Sequence, residues 1–318
     1  MGATTRDIFG RADNAEPASP GTYGEAPRGF RLPDATRLGR IRLQVSDLDQ
    51  SLDYYQGVLG LRTMERDATG ATLGTGDSAT PLVELRERRG ARPALRRGSL
   101  GLYHFAILLP DRASLGRLLR HLGENGVRFG SADHLVSESL YLQDPDDLGI
   151  EVYADRPRST WRRVGRELMM ATDPIDIEGL LAAAGDASWK GMPAGTTIGH
   201  VHLHVGDLEQ AAGFYSEALG FDRMVWHYPG ALFFGAGGYH HHLGTNTWAG
   251  SDAKAPAEGA ARLLEWSIVL PDASSALAAG ESLAQNGYSP VLEKGSRSEL
   301  VVRDPWGTEL RLMTGNLP

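Results

Sequence analysis

The chain repeats itself, and this duplication restricts its fold more than any other feature. The stretch LGRIRLQVSDLDQSLDYYQGVLGLR at 38–62 lines up with IGHVHLHVGDLEQAAGFYSEALGFDR at 198–223. Each opens with alternating apolar residues, the period of a strand. Each then passes through a D-L-[DE]-Q turn into an amphipathic helix that carries a Tyr and stops at Leu-Gly. Glycine suits the left-handed backbone of a helix C-cap. A second pair joins LYHFAILLPDRASLGRLLRHLGENGVRF at 102–129 to LEWSIVLPDASSALAAGESLAQNGYSP at 264–290. Each member of that pair is followed by a hairpin-like stretch with an Asp-Pro turn, LYLQDPDDLGIEVY at 140–153 and LVVRDPWGTELRLM at 300–313.

Four modules result: one (38–90), two (100–154), three (197–249) and four (261–314). Each reads as a strand, a helix and three further strands, an α+β unit of βαβββ order. The chain divides into a first two-module domain (37–154) and a second (197–318). Residues 155–196 link them, a span too long for a simple hairpin connection, with a helix expected around Ile177–Ala184. Residues 1–36 are rich in Gly, Ala, Pro, Arg and Asp without apolar period and read as a flexible N-terminal arm.

Composition narrows the function. The 318 residues contain no cysteine, which removes disulfides, thiolate metal sites and cysteine nucleophiles. Any metal must be held by His and carboxylates, which suit iron, manganese, zinc or nickel. A net charge of −8 without a basic stripe argues against nucleic acid. No apolar run approaches the roughly 18 residues of a membrane helix, and the N-terminus lacks a secretory apolar core, so the expected location is the cytoplasm.

The segments GLYHFAILLPD, SADHLVSESLYLQDPD, GHVHLHVGDLE and YHHHLGTNTW resemble the bacterial catechol 2,3-dioxygenase group of the vicinal oxygen chelate superfamily, which also holds glyoxalases and fosfomycin-resistance proteins. The resemblance covers nearly everything after residue 37. It implies that modules pair into two cup-shaped mixed β-sheet barrels, with metal ligands on the first and last strands of each module. Those positions read Arg40 and Glu84, His104 and Glu151, His200 and His242, Glu265 and Arg311. Pairing in chain order places a guanidinium, which cannot ligate a cation, in both cups. Pairing the inner modules collects His104, Glu151, His200 and His242. The outer modules then hold Arg40, Glu84, Glu265 and Arg311, which neutralise one another without a metal.

The extradiol pattern of the family maps onto His104, His200 and Glu151 as ligands of Fe(II), with Mn, Ni or Zn as alternatives. His242 is a fourth ligand or a near neighbour. His200, His202 and His204 alternate and so share one face, which puts His202 and His204 beside the ligands or in packing roles. In the run 240–242, His241 is expected to point away from His240 and His242. The resemblance further implies His134 as acid or base and Tyr141 as a hydrogen-bond donor to substrate oxygen. Trp248, Phe105 and Phe234 are candidates for aromatic walls. The expected reaction is extradiol cleavage of a small aromatic diol by dioxygen. Alternatives on the same scaffold are a glyoxalase-like isomerase or lyase, a thiol transferase, and a metal-free binding module. Homo-oligomerisation stays open.

Overall fold

The computed structural model describes residues 2–10, 14–95, 97–294 and 298–315. Each module begins with a strand that leads into a helix capped by aspartate. Asp47, Asp111, Asp207 and Asp272 accept hydrogen bonds from the backbone N–H three residues on, and a side-chain oxygen there satisfies one of the orphan donors of a first helical turn. The helices start at Leu48, Arg112, Leu208 and Ala273. The Leu-Gly stops behave as expected of them. Gly60 and Gly220 have φ of 78° and 103°, and the N–H groups of Leu61 and Phe221 reach back to the carbonyls of Tyr55 and Tyr215. The helix of module three departs from regularity, since Gly213–Ala218 continues it as a π-turn.

Among the described residues two eight-stranded mixed sheets form, one from the two middle modules and one from the first and last. In one, the first strand of module two (Gly101–Leu108) pairs antiparallel with the first strand of module three (Thr197–His204). In the other, the first strands of modules one (Arg37–Val45) and four (Arg262–Leu270) do the same. Within a module the first and last strands run parallel, as Phe105 opposite Ile150 and Trp266 opposite Leu310 show. The inner modules therefore share one sheet and the outer modules the other.

The helices tie the two sheets together. Tyr55 of module one reaches Asp144 of module two at 3.1 Å, and Tyr215 of module three reaches Asp304 of module four at 2.7 Å. Both aspartates sit in the Asp-Pro turns. Both tyrosines are fully buried in one large core of Leu, Ile, Val and Phe between helices and sheets.

The outer sheet fills its cup with charge. Arg311 Nη2 lies 2.6 Å from Glu265, and Arg40 Nε lies 3.2 Å from Glu84. Arg42 and Arg86 also reach Glu84, while Glu293 and Glu299 reach Arg311. A buried carboxylate without such partners would be costly.

Residues 155–196 hold the helix Ile177–Ala184 and two short strands, Arg162–Val164 and Glu167–Leu168. The N-terminal segment, expected to be flexible, packs along this region instead. Glu16–Pro17 pairs antiparallel with Arg162–Arg163, and Tyr23 and Leu32 are buried. Its anchors are single side chains and backbone hydrogen bonds, which leave no apolar period in the sequence. Among the described residues no helix is long and apolar enough to cross a membrane.

Candidate metal centre and its cavity

Strand alternation and register bring three side chains to one point. Ala106 pairs with Glu151 on one side and with His200 on the other, so these three lie in a row across adjacent strands. Ala106 is too small to separate the long side chains beside it. Glu151 Oε2 consequently lies 3.1 Å from His200 Nε2. His104, two residues before Ala106, points to the same face and brings its Nε2 to 2.9 Å from the same oxygen. In the outer sheet the corresponding row is Glu84, Arg42 and Glu265, and there an arginine occupies the place of Ala106.

All three groups are buried, with exposures of 5%, 2% and 1% for His104, Glu151 and His200. Their ligand atoms lie within 4.8 Å of one another. His104 Nε2 approaches Glu151 without the alignment of a hydrogen bond and has no such partner among the described residues. Burial pushes the His200 imidazole down to about 4, against the pull of Glu151. Burial alone would raise the Glu151 carboxyl, yet His200 and His104 hold it well below its ordinary value. The result is a carboxylate beside the neutral His200 imidazole and against the His104 ring. That donor set fits a divalent transition ion, whose charge compensates the buried carboxylate. Ser139 Oγ donates to Glu151 Oε1 at 2.6 Å and fixes the carboxylate plane.

The cluster opens into a cavity of about 320 Å³. His134 and Tyr141 both line it and are joined to each other, Nε2 to OH, at 2.5 Å. His134 Nδ1 lies 2.6 Å from the Ala171 carbonyl, which only accepts. The imidazole therefore carries its proton on Nδ1, and Nε2 accepts from the Tyr141 hydroxyl. Burial, reinforced by the charge of Glu151, holds the Tyr141 phenol well above its ordinary value, so it stays protonated.

His202 also lines the cavity but bonds to Asn246 Nδ2 at 2.9 Å, and His204 Nδ1 meets Asn246 Oδ1 at 2.6 Å. Both support the strand face without entering the cluster. Burial lowers both imidazoles.

The structure does not bring His242 to the cluster. Its Nδ1 accepts from the Ala236 N–H at 3.2 Å, its ring stacks on Phe221, and burial takes its imidazole down to about 3. The last strand of module three starts only at Leu243. The register pairs His202 with Gly244, so the position equivalent to Glu151 is Gly244, two residues beyond His242. A Cβ on Gly244 would sit 2.9 Å from the His202 ring, and the missing side chain lets Phe233 stack edge-on against His202.

His241, expected to face away, is the member of the run that lines the cavity, with its ring centre 4.1 Å from that of His200. The Asp155 carboxylate accepts from His240 Nε2 at 2.8 Å. His240 Nδ1 meets His241 Nδ1 at 2.7 Å, and burial holds the His241 imidazole well below its ordinary value. Among the aromatic candidates, Trp248 lines the cavity. Phe105 and Phe234 lie in the core on the helix side, and Phe233 takes the wall position. Tyr228 completes that wall; nothing in its sequence context marks it.

Comparison with known proteins gives a consistent picture. The family described as Glyoxalase/Bleomycin resistance protein/Dioxygenase superfamily matches residues 37–152 and 197–312. A Bacillus subtilis (strain 168) protein named Catechol-2,3-dioxygenase is 45% identical over 274 residues, covering 85% of this chain and 94% of the relative. A solved structure from Bacillus subtilis superposes with a TM-score of 0.59 at 15% identity, over 89% of this chain and 86% of that one. Glyoxalase I from Zea mays superposes with a TM-score of 0.53 at 20% identity, over 88% and 92%. At these identities the two structures bear on the fold alone.

Proposed function

The chain belongs to the Glyoxalase/Bleomycin resistance protein/Dioxygenase superfamily, and from that premise we propose that it is an iron(II)-dependent extradiol dioxygenase acting on catechol-type diols. The observation that carries this reading is a single buried carboxylate oxygen shared by two imidazoles from different modules. His104, His200 and Glu151 would hold the ion. Two histidines and one carboxylate on one face leave positions open for further ligands. When bound, iron supplies the Lewis acidity that lowers the pKa of a diol hydroxyl and the redox coupling to dioxygen that side chains lack.

The remaining steps fall to the protein. Trp248, Phe233 and Tyr228 clamp the ring and limit water at its faces. Tyr141 gives its proton to His134 Nε2 as it accepts one from a diol hydroxyl, so a proton leaves the substrate without a free phenolate forming. The Ala171 carbonyl stabilises the imidazolium through Nδ1–H. His241 stands at the opposite wall with its ring against that of His200, and burial keeps it neutral, so it shapes the space beside the ion.

The glyoxalase-like alternative would use a fourth protein ligand. Neither His242, turned to Ala236, nor Gly244 supplies one. His104→Ala should lose bound iron and oxygen uptake with catechol together, with the fold kept by circular dichroism. Full uptake in that variant would refute the assignment.

A further inference from the structure

The far wall of the cavity comes from an unexpected place. Gly2 lines it, and the segment that follows is fastened by a short ladder. The Ala3 N–H donates to the Tyr228 hydroxyl at 3.0 Å, and the Ala3 carbonyl accepts from the Thr172 N–H at 2.8 Å. Thr5 donates to Asp173 twice, from its N–H at 2.8 Å and from its hydroxyl at 2.5 Å. Thr4 and Asp7 form a capping box that starts the helix Thr5–Phe9, which gives the segment a fixed direction.

The ladder continues inward to the acid–base pair. Asp173 and Asp133 exchange both backbone hydrogen bonds at 2.9 Å, and Asp133 precedes His134. Ala171, two residues from Asp173, holds His134 Nδ1. The approach at the outer rung is close, since a Cβ on Gly2 would fall 2.4 Å from Thr172 Oγ1. The fit therefore depends on glycine there.

We infer that Gly2, held in place by residues 3–5, is a specificity-determining wall of the catalytic cavity, limiting the size of ring substituents borne away from the diol. This rests on the diol-cleaving reading above. A cavity of about 320 Å³ stands at the small end of ligand pockets, roughly 300–1,000 Å³, so the position of one wall decides which substituted ring is admitted. The bonds that hold this wall are few, and those from Thr5 go to the half-buried Asp173 carboxylate, outside the ion cluster. Asp173→Ala removes both of them while leaving His134, Tyr141 and the three ligands untouched.

The test compares catechol with 4-tert-butylcatechol on the full-length protein, on Asp173→Ala and on a variant lacking residues 2–10. Oxygen uptake gives kcat and KM. Anaerobic quenching of tryptophan fluorescence, with Trp248 in the cavity, gives binding without turnover. Asp173→Ala should improve the bulky diol relative to catechol by about tenfold in Kd ratio, the change that 1.4 kcal/mol corresponds to, with kcat for catechol nearly unchanged. The truncated variant should move the same way, its folding checked by thermal melting. An unchanged Kd ratio in Asp173→Ala overturns the inference. A shifted ratio in a protein that takes up no oxygen with any diol supports the wall and refutes the dioxygenase reading. A parent protein that binds neither diol refutes both.

Discussion

Ser139 offers a test of the proposed ion site that leaves His104, Glu151 and His200 in place. Its hydroxyl is fully buried and donates to Glu151 Oε1 at 2.6 Å, while Oε2 faces the two imidazoles. Ser139→Ala removes that donor from a buried carboxylate oxygen. A hydrogen bond to a charged group contributes about 1.5–3 kcal/mol. At about 1.4 kcal/mol per decade, iron(II) affinity should fall about tenfold to a hundredfold. That matches the usual penalty of about 10–100-fold for losing a partner that orients a metal ligand. A second consequence has a definite sign. The serine bond favours ionised Glu151, so its loss raises the carboxyl pKa, and acid release of the ion should move to higher pH. Competition with a chelator, repeated across pH, reads both effects. An affinity within twofold of the parent and an unmoved release midpoint would refute the claim that Glu151 ligates through a carboxylate oriented by Ser139.

Other outcomes follow from the same geometry. Arg311→Ala strands the buried Glu265 and should cost about 3–5 kcal/mol by denaturant titration, the usual range for breaking a buried ion pair, with iron content unchanged; lost iron would show that the outer cup contributes to the site. Burial raises the Asp144 carboxyl from 3.8 to about 7, so the folded state holds a proton that the unfolded chain releases, and this group makes stability fall as pH rises from about 3.8 to about 7. At about 1.36 kcal/mol per pH unit, the fall is at most about 4 kcal/mol, and Asp144→Asn should lack it. Parallel pH–stability profiles for the two proteins would contradict the burial argument.

What the sequence reveals and what it hides divide along physical lines. His104, Glu151 and His200 are legible because they sit inside long strands, where alternation fixes the face of every residue. The pairing of modules two with three follows from charge: Arg40 and Arg311 cannot sit on a cation, and both appear in the outer cup with carboxylates. Alternation fails where the strand has not yet begun. The run His240–His242 lies in the bend before Leu243, and counting back from the strand exchanges the faces of His241 and His242, since a one-residue slip inverts a whole set of side chains. Phe233 and Phe234 are neighbours inside the strand Ala231–Gly235 and so face opposite sides, and only the packing of the sheet shows which side meets the cavity. The N-terminal wall is hidden for another reason. Gly2, Ala3 and Thr5 hold it through backbone groups and one hydroxyl, and backbone hydrogen bonds carry no residue signature. The parts of the cavity that would meet an ion are thus written in side-chain identity. The parts that set its size are written in strand starts and main-chain contacts, so the same three residues at the cluster are compatible with cavities of different size.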